Sequence, residues 1–360
     1  MWGRLIVPAE VGSMDLWPYA LVLGVSFGLA VLVTPLVGHL ARRLDIVDQP
    51  GGRRQHRGRV PRSGGLAVLV AFLAAVGVAG WRGDLTAAYG PDDVLRLQGL
   101  LIGASLAALL GLVDDRFDLP PWPQFAFQLL LSVVALTTLL WLERFTLPFF
   151  GTVRLNDFPW GALVYVPLTI LWVMGMINTV NWLDGLDGLA AGVGAILCLV
   201  LAIHMRYLAD QPQPSVALLP VALMGALVGF LPYNVAPARV FLGSSGAFLL
   251  GYALAALGLI AGGRTATVLM VMGLPIVDVA WQIFDRLRRK RSPVRGDRGH
   301  LHYRLLDLGL SKRAIVLLYW GFCALFGLLA LIAAPWQKLI ALLSIAAIVI
   351  LVLVSLSRQS

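Results

Sequence analysis

Four side chains in "NTVNWLDGLDGL", Asn178, Asn181, Asp184 and Asp187, recur every three residues with Gly185 and Gly188 among them. On an α-helix each such step turns the next side chain about 60° further round, whereas in a 3-10 turn the four would eclipse. The glycines allow a bend or the close approach of a ligand. Acids and amides between apolar stretches cost free energy, so they are default candidates for contact with an ion or a polar substrate. The plainer alternative is polar contact between helices. A second group lies in "GLVDDRFDLPP", where helical spacing puts Asp114 and Asp118 on one face and Asp115 about 100° round. Three carboxylates within one turn repel one another unless a cation or another partner intervenes; the alternative is a solvated helix end. A third group is "RGHLHYR", in which His300, His302 and Arg304 offer three donors within five residues, suited to phosphate oxygens. Zinc fits poorly there, because no further ligand lies at a credible spacing. Asp278, in "GLPIVDVAW", is either paired inside a bundle or lines a cavity.

The elements that must position these residues are helices in a membrane. The chain has 360 residues, 59% hydrophobic and only 13% charged, with a mean hydropathy of +0.84. A soluble domain needs far more polar surface. Eleven apolar segments are predicted as spans, near 16–40, 64–81, 97–113, 124–142, 159–178, 188–206, 215–231, 240–261, 265–286, 313–332 and 337–357. The fold class expected is therefore an all-α polytopic membrane protein, a single domain over 1–360. Residues 1–15 contain Pro8, Glu10 and Asp15 and do not read as a cleavable signal peptide. Cys198 and Cys323 lie inside apolar stretches and are predicted to pack, not to form a disulfide.

With the N-terminus outside and the C-terminus inside, twenty of the 28 Lys and Arg fall in inside loops, mainly the basic loops 41–62 and 286–313. That bias accounts for the net charge of +9 without invoking nucleic acid. It also places every chemically rich loop on the cytoplasmic side. Of the outer segments, "RFTLPFFGTVRLNDF" reads as a small β-hairpin.

Phosphate-binding P-loops, G-x-G-x-x-G and H-E-x-x-H are absent, and "GSSG" at 243–246 does not match a nucleophile elbow. Acids, amides, histidines and arginines without a Ser or Cys nucleophile suit a Mg²⁺-assisted phosphoryl reaction, and the membrane setting suggests a lipid as one substrate. The rivals are a transporter, which would place polar groups near the midplane in repeated halves, and a catalytically silent scaffold.

In order, "GLVDDRFDLPP", "NTVNWLDGLDGLAAG", "RVFLGSSGAFLLGY", "GLPIVDV" and "SPVRGDRGHLHYRLLDLGLS" resemble the polyprenyl-phosphate N-acetylhexosamine-1-phosphate transferases, the superfamily of MraY, WecA and TagO. "VDQPGGRRQHRGRVPRSGGLAV" is similar to that family's first cytoplasmic loop, so the resemblance runs from about residue 45 to 313. It implies transfer of a sugar-1-phosphate from a UDP-sugar to undecaprenyl phosphate with release of UMP, at the cytoplasmic face of a bacterial inner membrane. Mg²⁺ is the implied cofactor, for which Mn²⁺ could substitute, and a homodimer is compatible. Asp118 and the spacing in "HLHYR" favour the WecA/TagO branch and UDP-GlcNAc over the MraY branch, a phospho-MurNAc-pentapeptide transferase. Carried over by position, Asp114, Asp115 and Asp118 act on the acceptor phosphate or the metal. Asn178, Asn181, Asp184 and Asp187 hold the nucleotide sugar, with Asp115, Asn181 and Asp187 as metal ligands. His300, His302 and Arg304 contact donor phosphates or sugar. Two departures stand out: Ser244 occupies a position where the family commonly has a metal-binding aspartate, and Tyr303 replaces a usual histidine.

Overall fold

The computed structural model describes residues 15–48, 58–85, 91–147, 151–209, 212–260, 264–290 and 299–357. Part of each basic loop, 49–57 and 291–298, lies outside the described residues, as do most of 1–15 and Arg358. The described chain is a bundle of thirteen helices: α1 Trp17–Arg43, α2 Gly64–Trp81, α3 Pro91–Phe117, α4 Pro121–Thr137, α5 Gly161–Leu183, α6 Leu189–Ile203 and α7 Pro214–Asn234. Beyond them come α8 Gly243–Leu259, α9 Thr265–Val271, α10 Gly273–Arg288, α11 Leu301–Asp307, α12 Lys312–Ile332 and α13 Pro335–Ser357. Helices are the solution such a sequence dictates, because lipid offers the backbone no hydrogen-bond partners.

Each predicted apolar segment is helical, 64–81 with the expected bounds, 265–286 divided into α9 and α10, and most others with altered ends. Among the described residues, eight helices are long and apolar enough to cross a membrane. A ninth span forms if α9 and α10, bent by 79° at a break at Met272, are counted as one. The helix expected at 97–113 is longer than its apolar core suggests, 27 residues from Pro91 to Phe117, because polar turns extend it at both ends. That expected at 240–261 is shortened to 17 residues, since Gly243 opens it at φ +73°. Leu32, Leu36, Leu163, Leu171 and Leu351 are each more than 60% exposed. Apolar side chains displayed to this extent belong against lipid.

At the centre stands α8, buried along its whole length and packed by α2, α3 and α5. Small residues make this possible. A Cβ on Gly65 of α2 would come within 2.1 Å of the Gly246 backbone nitrogen, and one on Gly111 of α3 within 2.3 Å of the Ser244 carbonyl oxygen. Two helices thereby rest directly on the first turn of α8. Cys198 and Cys323 are buried and free, as their apolar settings predict.

Two short antiparallel ribbons lie at opposite ends of the bundle. Strands β1 (Val47–Asp48) and β2 (Val60–Pro61) pair beside the start of α8, where Phe241 N donates to Pro61 O at 2.8 Å and Gly65 N to Leu242 O at 3.0 Å. Strands β3 (Arg144–Leu147) and β4 (Gly151–Arg154) form the predicted hairpin between α4 and α5.

Candidate active site

Asp115, near the end of α3, is buried and accepts from two amides of the first turn of α8: Ser244 N at 2.8 Å on Oδ1 and Ser245 N at 2.9 Å on Oδ2. These are amides that no residue within the helix can satisfy, and the helix dipole favours an anion there. The side chain of Arg62, between β2 and α2, lies 3.4 Å from Asp115, 3.5 Å from Asp118 and 3.7 Å from Asp48. Burial alone would lower the Arg62 pKa. The charges of Asp115, Asp48, Asp118 and Asp114 outweigh it and hold the guanidinium above its ordinary value. Asp114, also buried, accepts on Oδ1 from Gln124 Nε2 at 2.9 Å and Leu119 N at 3.2 Å, which fixes the turn between α3 and α4.

The "NTVNWLDGLDGL" stretch adopts neither of its two regular alternatives over its full length. Asn178 and Asn181 sit on α5, Asp184 follows its last residue, and Asp187 lies in the turn that Gly188, at φ +83°, closes into α6. Burial pushes the Asp184 carboxyl well up; the Asp115 charge adds to this, Arg62 opposes it, and Asp187 raises it further. Those charges put Asp184 and Asp187, of one stretch, in one electrostatic neighbourhood with Asp115 of α3. Ala238 N donates to Asp187 Oδ2 at 3.1 Å, and the Asn234 amide bridges Gly188 N to Val240 O, both at 3.1 Å.

On the other side of this turn lies α11. Asp278 resolves to the paired alternative: Oδ2 is 2.9 Å from His300 Nδ1, and Oδ1 accepts from Leu301 N at 2.9 Å. His300 stacks near-parallel with His302, ring centroids 5.7 Å apart, and is tilted against Trp182 at 5.5 Å. His302 is buried, and its Nε2 has no hydrogen-bond partner among the described residues. It faces the turn after Asp184, since a Cβ on Gly185 would stand 2.5 Å from it. Burial pulls the His302 pKa down to about 3, with Asp278 raising it and His300 lowering it, so the ring is neutral near pH 7.

Of the residues singled out in the sequence, two stand apart, and a third, Asp118, reaches the site only from an exposed position through Arg62. Asn178 is closed on Gln128 of α4 by two hydrogen bonds, 2.6 and 3.2 Å, the inter-helix polar contact that was the plainer alternative. Arg304 turns to Gly299 O at 2.7 Å and Leu353 O at 3.2 Å, tying α11 to α13. Asp118 does not share a helical face with Asp114, because α3 ends at Phe117 and Asp118 takes φ +50°, with its side chain exposed. Conversely, Arg62, Asp48 and Asn234 belong to the site without having been picked out. Arg62 looked like one of seven topological charges, and only its apolar, glycine-rich sequel, "SGGLAV", hinted that it is anchored.

No three of the described His, Cys, Asp and Glu side chains close on a single point as a metal cage. Mg²⁺ does not require one: one or two carboxylates with substrate phosphates and water suffice. The mutual charge burden on Asp184, Asp115 and Asp187 fits such a cation. Ser244 contributes its backbone amide to Asp115 in place of a carboxylate.

Residues 97–262 match the family model described as glycosyl transferase family 4. The chain is 31% identical to a probable undecaprenyl-phosphate N-acetylglucosaminyl 1-phosphate transferase of Bacillus subtilis, over 88% of this chain and 86% of that protein. It is 32% identical to a decaprenyl-phosphate N-acetylglucosaminephosphotransferase of Mycobacterium leprae, over 88% and 84%. A phospho-N-acetylmuramoyl-pentapeptide-transferase of Halalkalibacterium halodurans is 29% identical over 88% and 97%. The chain belongs to the polyprenyl-phosphate N-acetylhexosamine-1-phosphate transferase family.

Proposed function

We propose that this protein transfers GlcNAc-1-phosphate from UDP-GlcNAc to undecaprenyl phosphate, giving the lipid diphosphate sugar and UMP, at the cytoplasmic face of a bacterial inner membrane. In this reading the chain spans eleven times with its N-terminus outside. The observation that carries the proposal is the grouping of Asp115, Asp184 and Asp187 with a half-buried guanidinium, Arg62, near the turn that the unsatisfied His302 nitrogen faces. Relatives named for the same transfer, at 31–32% identity, favour GlcNAc over the pentapeptide substrate named at 29%.

An oxygen of the lipid phosphate attacks the β-phosphorus of the donor. The bond from that phosphorus to the oxygen bridging the two phosphates breaks, and UMP leaves with that oxygen. Two anions must approach each other, so catalysis lies in positioning and charge neutralisation. Arg62 supplies a fixed positive charge, and its planar fork suits phosphate oxygens. Asp114, held by Gln124 and Leu119, orients the acceptor, whose phosphate needs little help from a base because it is already ionised. His302 donates or accepts one hydrogen bond as a neutral ring, and Asp278 fixes His300 beside it. Mg²⁺ would be held by one or two of the carboxylates of Asp115, Asp184 and Asp187, with Asn181 in the same stretch, and would neutralise the donor diphosphate.

The test is a donor panel: purified protein, undecaprenyl phosphate, Mg²⁺ and, separately, UDP-GlcNAc, UDP-GalNAc and UDP-MurNAc-pentapeptide, scored by UMP release. Release with UDP-GlcNAc above the others supports the proposal. Preference for the pentapeptide donor makes the enzyme an MraY-type transferase, and no release with any donor favours a transporter or scaffold.

A further inference from the structure

Arg313, the second residue of α12, is exposed, yet its guanidinium donates twice to one carbonyl of another element. Nε lies 3.3 Å and Nη2 3.0 Å from Ala236 O. Its own helix does not favour it. Lys312 and Arg313 stand in the first turn of α12, which carries no acid, and the helix dipole disfavours cations at that end. Ala236 follows closely on Asn234, the last residue of α7, where the carbonyls a helix leaves unpaired attract a cation. The contact therefore ties the beginning of α12 to the end of α7.

The segment so gripped, residues 235–242, is bonded to each part of the carboxylate site. Ala238 N, two residues beyond the gripped carbonyl, is the donor to Asp187 Oδ2 at 3.1 Å. Arg239 N and Val240 N both donate to Tyr233 O, at 2.8 and 3.1 Å, which folds the segment back on α7. Phe241 joins the residues flanking Arg62: its N donates to Pro61 O at 2.8 Å and its O accepts from Gly64 N at 3.0 Å. Immediately after it, α8 opens with the two amides that hold Asp115. A shift of 235–242 would thus move the amide on Asp187 first, because Ala238 lies between the Arg313 contact and the ties at Phe241.

We infer that Arg313 is a positioning residue of the site: through the Ala236 carbonyl it holds residues 235–242, and through Ala238 N it fixes the Asp187 carboxylate. Its effect on turnover rests on the proposed function; its effect on the segment does not. An exposed guanidinium on one carbonyl adds little to global stability, so its removal should be felt locally.

The experiment compares wild type, Arg313→Gln and Arg313→Lys, purified in detergent, by amide hydrogen exchange, thermal unfolding and UMP release. In Arg313→Gln the amides of 184–188 and 235–242 are expected to exchange about 5-fold faster, the loss of one hydrogen bond of ordinary net strength. Exchange along α12 should stay as in wild type, and the Tm should stay within about 2 °C of it. The kcat/KM for UDP-GlcNAc should fall about 10-fold, chiefly through KM, as when a group that orients a ligand-binding side chain is removed. Arg313→Lys, which keeps the charge and a donor, should recover part of both effects. Unchanged exchange in the two segments overturns the inference. So does faster exchange spread along α12 with a lowered Tm, which makes Arg313 a structural tie of that helix. Faster local exchange with an unaltered kcat/KM overturns the link to Asp187. An absence of UMP release by wild type overturns the proposed function instead, and the exchange comparison then still decides for or against Arg313.

Discussion

At the scale of single residues, the account rests on charge placed where lipid and protein leave little water. Arg62 is the clearest case: the guanidinium faces Asp48, Asp115 and Asp118 and is only 18% exposed. Arg62→Ala is expected to lower kcat/KM for UMP release by roughly 10²-fold, the usual effect of removing one charge-stabilising donor, with Arg62→Lys recovering part. A variant within a few-fold of wild type would remove Arg62 from the site. His302 makes a prediction about pH. Its folded pKa of about 3 lies below the ordinary 6.5, so between these values the unfolded chain binds a proton that the folded chain refuses. Its contribution to stability is complete above pH 6.5 and falls as the pH drops toward 3, by up to about 1.4 kcal/mol per pH unit. Thermal melts from pH 7 to pH 4.5 should therefore fall more steeply for wild type than for His302→Gln; parallel slopes would contradict the assignment. The acids and histidines were legible in the sequence because ionisable groups stand out in apolar surroundings. Arg62 and Asn234 were not, since only the folded chain brings them against Asp115 and Gly188.

At the scale of elements, the first turn of α8 is the organising piece. It hands two amides to Asp115 and receives α2 and α3 at backbone contact through Gly65 and Gly111. Gly65→Ala is expected to destabilise the protein by about 1–3 kcal/mol through overpacking, visible as a lowered Tm, and to depress UMP release further by displacing those amides. An unchanged Tm would show that the contact is looser than described. Helices and hairpin were readable from hydropathy and turn residues. The break at Met272 was not, because the apolar run continues through it; nor was the end of α3 at Phe117, where the prolines at 120 and 121 suggested a later stop. The same early stop leaves Asp118 outside the helix, at φ +50° and exposed.

At the scale of the whole molecule, the carboxylate cluster and the β3–β4 hairpin occupy opposite ends of the bundle, which predicts that they face opposite compartments. Cysteines introduced at Asp118 and at Arg154, both exposed, should react with a membrane-impermeant thiol reagent from opposite sides of sealed membrane vesicles of known orientation. The basic-loop bias predicts that position 118 is the cytoplasmic one; labelling of both from one side would break the topology. The meeting of distant segments was expected from the shared sidedness of their loops and from the family resemblance, and its geometry required the fold. The most direct measurement is UMP release from UDP-GlcNAc and undecaprenyl phosphate by wild type, Asp115→Asn and Asp184→Asn at saturating Mg²⁺. The account predicts turnover by the wild type and a loss of roughly 100-fold or more in each variant. Near-wild-type rates in either variant would contradict a shared carboxylate site.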